Sequence, residues 1–191
     1  MSAALLVRTL LWLWFGGAVA AGHWLVLQRL PPLAFASLML ALAALPILAV
    51  RRLPLLRDWF DNIDDRTLVV LHVVRLVGIY FLWLHREGDL PRAFVLPGGI
   101  GETIIAVMGL PVALAPLAPE SRQRAIRIWS IVGCINLLLL AFTLTRLSLS
   151  YPLQVRAFSV LPLSLYPTFL LPLLLATQVL LLVRTAPART E

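Results

Sequence analysis

The chain has no lysine and a single cysteine, Cys134. One thiol excludes an intrachain disulfide, and a thiolate metal site would need its remaining ligands from other residue types. Charge of either sign is scarce. Charged residues make up 13% of 191 residues, where a soluble domain carries about a quarter, too little to cover a globule in water. No Walker-type phosphate loop, dinucleotide fingerprint or zinc-protease spacing occurs, and no nucleophile stands beside a base. The expectation leans away from an enzyme. The chain also lacks an internal repeat and a linker long enough to divide it, so 1–191 reads as one domain.

What fills the sequence is hydrocarbon. The chain is 61% hydrophobic with a mean hydropathy of +0.94. Its apolar residues fall in runs of about 18 or more, long enough to cross roughly 30 Å of lipid as helix. Bounded by arginine, proline or acidic clusters, these runs predict six spans at 4–27, 33–50, 67–85, 100–118, 126–145 and 159–183. The fold class expected is all-α, a polytopic transmembrane bundle. Ala18-Val19-Ala20 has the form of a signal-peptidase site, but the apolar run continues through His23-Trp24-Leu25-Val26-Leu27 and predicts a retained first helix.

All sixteen basic residues are arginines, set singly or in small groups at the ends of apolar runs. That is the pattern of helix-flanking anchors, unlike the continuous basic stripe of a nucleic-acid binder. The formal charge of +7 therefore predicts no nucleic-acid partner. Ten arginines fall on the side of the N-terminus (8, 51, 52, 57, 66, 122, 124, 127, 184, 189) and five on the other (29, 86, 92, 146, 156). By the positive-inside rule both termini are cytoplasmic, in a bacterial inner membrane. The expected partners are membrane lipids and either a second copy of the chain or a larger membrane complex.

The sixteenth arginine is Arg75, near the middle of span three. A central arginine costs about 2.5–3.5 kcal/mol to insert and so turns into the bundle toward acceptors. Glu102, after Pro97-Gly98-Gly99-Ile100-Gly101, is the nearest candidate carboxylate. It reaches Arg75 only if the Pro-Gly-Gly stretch dips into the membrane, which irregular backbone does where protein or water satisfies it. Two readings of the pair stay open. One is a polar site for a small polar, anionic or lipidic ligand, built from Arg75, Glu102, Asn136, Tyr166 and Thr168. The other is an ion pair that only fixes helix packing.

Three histidines raise a b-type heme. His23 and His85 fall at matching depth and form the one feasible axial pair; the bland reading makes them interfacial residues beside Trp24 and Trp83. His72 and His85, thirteen residues apart on one helix, face different ways. Asp61-Asn62-Ile63-Asp64-Asp65 offers carboxylates for Mg²⁺, but Asp64 and Asp65 are better placed to cap span three, and no metal is expected. Pro162, Pro167 and Pro172 each remove a backbone donor, so span six is expected to be kinked, its freed carbonyls met by neighbouring helices or lining a polar cavity with Ser164, Tyr166 and Thr168. Ser130, Gly133 and Cys134 give span five a face for close packing.

Two stretches resemble a known group. Arg75-x-x-Gly78-x-x-Phe81, followed by Leu90-Pro91, Phe94, Pro97 and Gly101-Glu102, is similar to a motif of small, uncharacterised bacterial multi-pass membrane proteins. Pro167-Thr168-Phe169-x-x-Pro172 resembles their last span. Where Glu102 stands that group usually has aspartate, which keeps the charge. Where Asn136 stands it often has another aspartate, and this chain loses that charge. The resemblance implies the helical membrane fold and the choice of Arg75 and Glu102, and it carries no activity.

Overall fold

Six helices have the length and apolar composition to cross a membrane in the computed structural model, which describes residues 2–186. They are α1 Ala3–His23, α2 Pro32–Arg52, α4 Asp65–Arg86, α5 Arg92–Leu114, α6 Pro119–Ser150 and α7 Tyr166–Arg184. A short helix, α3 Pro54–Asp61, lies between the second and third spans. No strand occurs among the described residues. With an even number of spans, α1 begins and α7 ends on the same side, called here the terminal face. Arg189, counted on that side above, lies outside the described residues.

Proline starts several helices because its missing N–H would be unpaired in the first turn anyway. Pro32, Pro54 and Pro119 all hold that position. Helix α3 buries Leu56 and Phe60 while Arg57, Asp58 and Asp61 are exposed, as suits a helix lying along the interface. Asp64 occupies the N-cap of α4 without a capping bond, and Asp65 instead pairs with Arg184 at the end of α7. Arg184 also donates to the carbonyls of Phe60 and Ile63, at 3.0 and 2.6 Å. One guanidinium thus ties α3, α4 and α7 together at the terminal face.

Three spans differ most from expectation. Helix α6 has 32 residues, roughly 48 Å at 1.5 Å per residue, so its arginine-bearing start projects beyond the hydrocarbon. Helix α7 begins only at Tyr166, because 152–159 is a tight turn of helix and 161–164 a hydrogen-bonded turn. The third difference decides the site. Span four does not begin at 100 after a dipping loop; α5 starts at Arg92 and runs through Pro97-Gly98-Gly99 as a widened π-turn, with the Glu102 N–H reaching back to the Pro97 carbonyl. Glycine and proline are tolerated there because the wider turn re-pairs the backbone.

The prolines of α7 have specific answers. Pro172 cannot donate to the Thr168 carbonyl four residues earlier, and the Trp14 indole N–H from α1 does so instead, at 2.8 Å. The Tyr166 N–H takes the Leu163 carbonyl that Pro167 leaves free. Burial is uneven along the chain. Of the most apolar window of α1 only 6% is buried, against 61% in α7. Helix α7 is central and α1 peripheral.

Candidate functional site

Arg75 lies eleven residues from the end of α4, and Glu102 lies ten residues into α5. The rise of 1.5 Å per residue puts both about 15 Å from the face opposite the termini. Equal depth on antiparallel neighbours brings them together. Both side chains are fully buried. Arg75 donates from Nε and Nη2 to Glu102 Oε1, at 3.1 and 2.5 Å. Gly78 makes this approach possible, since a Cβ there would stand 2.5 Å from the Gly99 carbonyl oxygen and 2.7 Å from Thr103 Oγ1.

Two further donors complete Glu102. Asn136 Nδ2 of α6 donates to Oε1 at 2.8 Å and also reaches the Pro97 carbonyl at 3.3 Å. The Tyr166 hydroxyl of α7 donates to Oε2 at 2.9 Å. Four helices therefore contribute to one carboxylate, and both π-turns supply part of its setting. On the side toward the opposite face, Tyr166 stacks edge-on against Phe81, with centroids 4.9 Å apart. Phe81, Phe94 and Phe158 extend that contact into an aromatic cluster. Water is shut out from there.

The other side of the guanidinium is unlike this. Of seven buried side-chain polar atoms without a hydrogen-bond partner among the described residues, four lie here: Arg75 Nη1, His72 Nδ1, Ser130 Oγ and Gln178 Oε1. All four residues are fully buried. They are neighbours. His72 and Arg75 sit three apart in a 3₁₀ stretch, His72–Leu76, where residues i and i+3 eclipse. Gln178 Nε2 donates to the carbonyls of Trp129 and Ser130, at 3.4 and 3.3 Å. The His72 ring packs edge-on against Trp129 at 5.1 Å. A Cβ on Gly133 would collide with the Gln178 amide and stand 3.1 Å from Arg75 Nη1. Ser130 also forgoes the bond to the carbonyl four residues back that Ser37, Thr145 and Ser148 make.

Donor and acceptor roles follow from the bonds already made. The Thr177 hydroxyl spends its proton on the Leu173 and Leu174 carbonyls, so His72 Nε2, 3.2 Å away, is the donor to Thr177 Oγ1. In the neutral imidazole Nδ1 is then a bare acceptor. Gln178, with its amide nitrogen engaged, likewise presents an acceptor, and Arg75 Nη1 presents donors. Ser130 can do either.

The remaining candidates go elsewhere. Thr168 Oγ1 donates to the Ser164 carbonyl at 2.6 Å and is not hydrogen-bonded to the Arg75 cluster. His23 is exposed beside Trp24, while His85 Nδ1 lies 2.8 Å from the Leu90 carbonyl at the end of α4. Buried Cys134, on α6, is a free thiol. Sequence reasoning missed Thr177, Gln178 and Trp129, and took Ser130 for packing alone. The signal was Thr177-Gln178, an uncharged polar pair within an apolar run, which in lipid requires partners inside the protein.

No curated protein and no solved structure matches the chain. A domain of unknown function, DUF8737, matches residues 30–185, which covers five of the six spans and leaves out α1. The chain belongs to the DUF8737 family.

Proposed function

We propose that the protein is a membrane-embedded binding or transport module for a small polar ligand, taken up on the terminal side of Arg75. The observation that carries this reading is the mixed set of unpartnered buried groups around that guanidinium. Buried polar atoms in native proteins are nearly always paired, and a cluster of exceptions calls for a water, ion or ligand. The arrangement also narrows the chemistry. Glu102 already balances the charge of Arg75, and His72 Nδ1 and Gln178 Oε1 both offer lone pairs. An anion gains little there. A neutral molecule that both donates and accepts hydrogen bonds fits the set.

The π-turns support a moving part. Such turns are local irregularities frequent at functional sites, and here they carry Tyr166 and adjoin Glu102. The excess of arginine on the terminal face supports an orientation with that face in the cytoplasm of a bacterial inner membrane.

The test is thermal unfolding of the purified protein in mild detergent, against a panel of small neutral amides, polyols and ureas and a matched panel of small anions. A ligand that binds only the folded state raises the unfolding temperature. At least one neutral solute is expected to raise it in the wild type and to lose that effect in Ser130→Ala. No shift with any solute, or shifts that survive Ser130→Ala unchanged, would sink the reading.

A further inference from the structure

A second site lies toward the opposite face, separated from the Arg75–Glu102 pair by the aromatic cluster that includes Phe158. A groove of about 290 Å³ opens between the connection that joins α1 to α2, the end of α6 and the turn at 152–159. Its walls and floor include Leu27, Phe35, Leu144 and Phe158, all buried and apolar. Its rim carries Gln28 and Arg156, both exposed. Most of these residues belong to helix ends or connections, the part of a spanning bundle that meets lipid headgroups.

The charged side chains of the lining have one sign. No acidic residue among the described ones lines the groove. Arg156 has no ion-pair partner among the described residues. Helix α2 begins at the groove on Pro32, with no side-chain cap, and so presents the positive end of a 21-residue helix. The negative end of α6 comes close too, and two of its carbonyls are already used within the protein. Leu144 accepts from the Ser148 hydroxyl and Leu147 from the Tyr151 N–H. Ser159 likewise spends its proton on the Arg156 carbonyl. What remains at the rim is a guanidinium, which only donates, and an amide, which can donate through its nitrogen, above an apolar floor.

We infer that this groove binds an anionic phospholipid from the leaflet at the opposite face. Arg156 and Gln28 hold the phosphate, and one acyl chain lies along Leu27, Phe35 and Leu144. The apolar floor favours a lipid over free phosphate, and the rim favours an anionic headgroup over a zwitterionic one. This site is independent of the polar ligand proposed for the core.

Native mass spectrometry of the full chain in detergent tests it, with equimolar phosphatidylglycerol and phosphatidylcholine added. Phosphatidylglycerol adducts are expected to dominate, and Arg156→Gln to lower them about fivefold, the effect of one arginine near an anionic lipid surface. Arg146→Gln, an exposed arginine at similar depth that does not line the groove, is expected to leave them unchanged. Ser148→Trp, which fills the groove from the α6 wall, is expected to reduce retention of both lipids. Equal retention of the two lipids by the wild type overturns the inference, as does an equal loss in Arg146→Gln. Full competition by millimolar inorganic phosphate would reassign the groove to a free anion. Circular dichroism and unfolding temperature of each variant, expected to match wild type, separate lost binding from lost fold.

Discussion

The two sides of the Arg75 guanidinium obey opposite rules. Toward the opposite face, Nε and Nη2 meet a carboxylate that is itself saturated by Asn136 and Tyr166 and covered by aromatic rings. Toward the terminal face, Nη1 meets groups that hold back lone pairs and protons without using them on the protein. A buried ion pair is weak evidence for stability in itself, because desolvating both charges offsets most of their attraction. The contrast is therefore more informative than the pair. The saturated side is architecture, which makes an arginine tolerable in lipid. The unsaturated side is where we propose that a ligand completes the hydrogen bonding.

The comparison breaks most visibly at Glu102. Glu102→Leu leaves a buried guanidinium without its counter-charge and is expected to destabilise the protein by about 3–5 kcal/mol. The double variant Arg75→Met/Glu102→Leu removes both charges and is expected to recover most of that loss, as replacement of buried pairs by apolar groups usually does. Denaturant unfolding in mild detergent measures both. A single variant within about 1 kcal/mol of wild type would mean that Glu102 is not the group that makes Arg75 tolerable.

Tyr166→Phe is the next largest. It keeps the ring against Phe81 but withdraws the hydroxyl from Glu102 Oε2, and a buried acceptor left short costs about 1–3 kcal/mol. The same unfolding measurement decides it, and no loss at all would place the tyrosine outside the network.

These expectations show where sequence reasoning succeeds and where it stops. Arg75 stood out because a lone charge within an apolar run has few permitted environments, and Glu102 followed as the nearest carboxylate. Their depths could not be matched from sequence, because Pro97-Gly98-Gly99 reads as a loop. Only the π-turn, which lets α5 begin at Arg92, lowers Glu102 to the level of Arg75. Asn136 and Tyr166 donate to Glu102, whereas Thr168 bonds its own helix, since a threonine in lipid can satisfy its hydroxyl on the carbonyl four residues back. His72 was legible only as a ring that faces away from His85 on the same helix. Its actual neighbour is Arg75, because the helix tightens to 3₁₀ between them. The arrangement of α1 at the edge, held in part by an indole N–H on a carbonyl freed by proline, depends on a contact 154 residues apart in sequence.

On the unsaturated side the effects shrink. Gly133→Ala puts a methyl group against the Gln178 amide and close to Arg75 Nη1. The obstacle is the end of a flexible side chain, so the loss is expected near the low end for overpacking, about 1 kcal/mol. The more telling readout is ligand response. A neutral solute that stabilises the wild type should fail on Gly133→Ala, while the ion pair, unfolding cooperativity and helix content stay intact.

Ser130→Ala should be the smallest of all, and it separates the two sides most sharply. The hydroxyl is fully buried and has no partner among the described residues, so its removal takes away no hydrogen bond seen there and relieves an unpaired polar group. The unfolding free energy is expected to stay within about 0.5 kcal/mol of wild type, the range of substitutions that break nothing. A loss above about 1 kcal/mol, the worth of a typical hydrogen bond, would show that ordered water already completes the cluster. Near-zero change combined with loss of the solute-induced stabilisation is the signature of a group kept for binding. No purely architectural role predicts that combination, because a residue that only supports the fold cannot be silent in stability and decisive in ligand response.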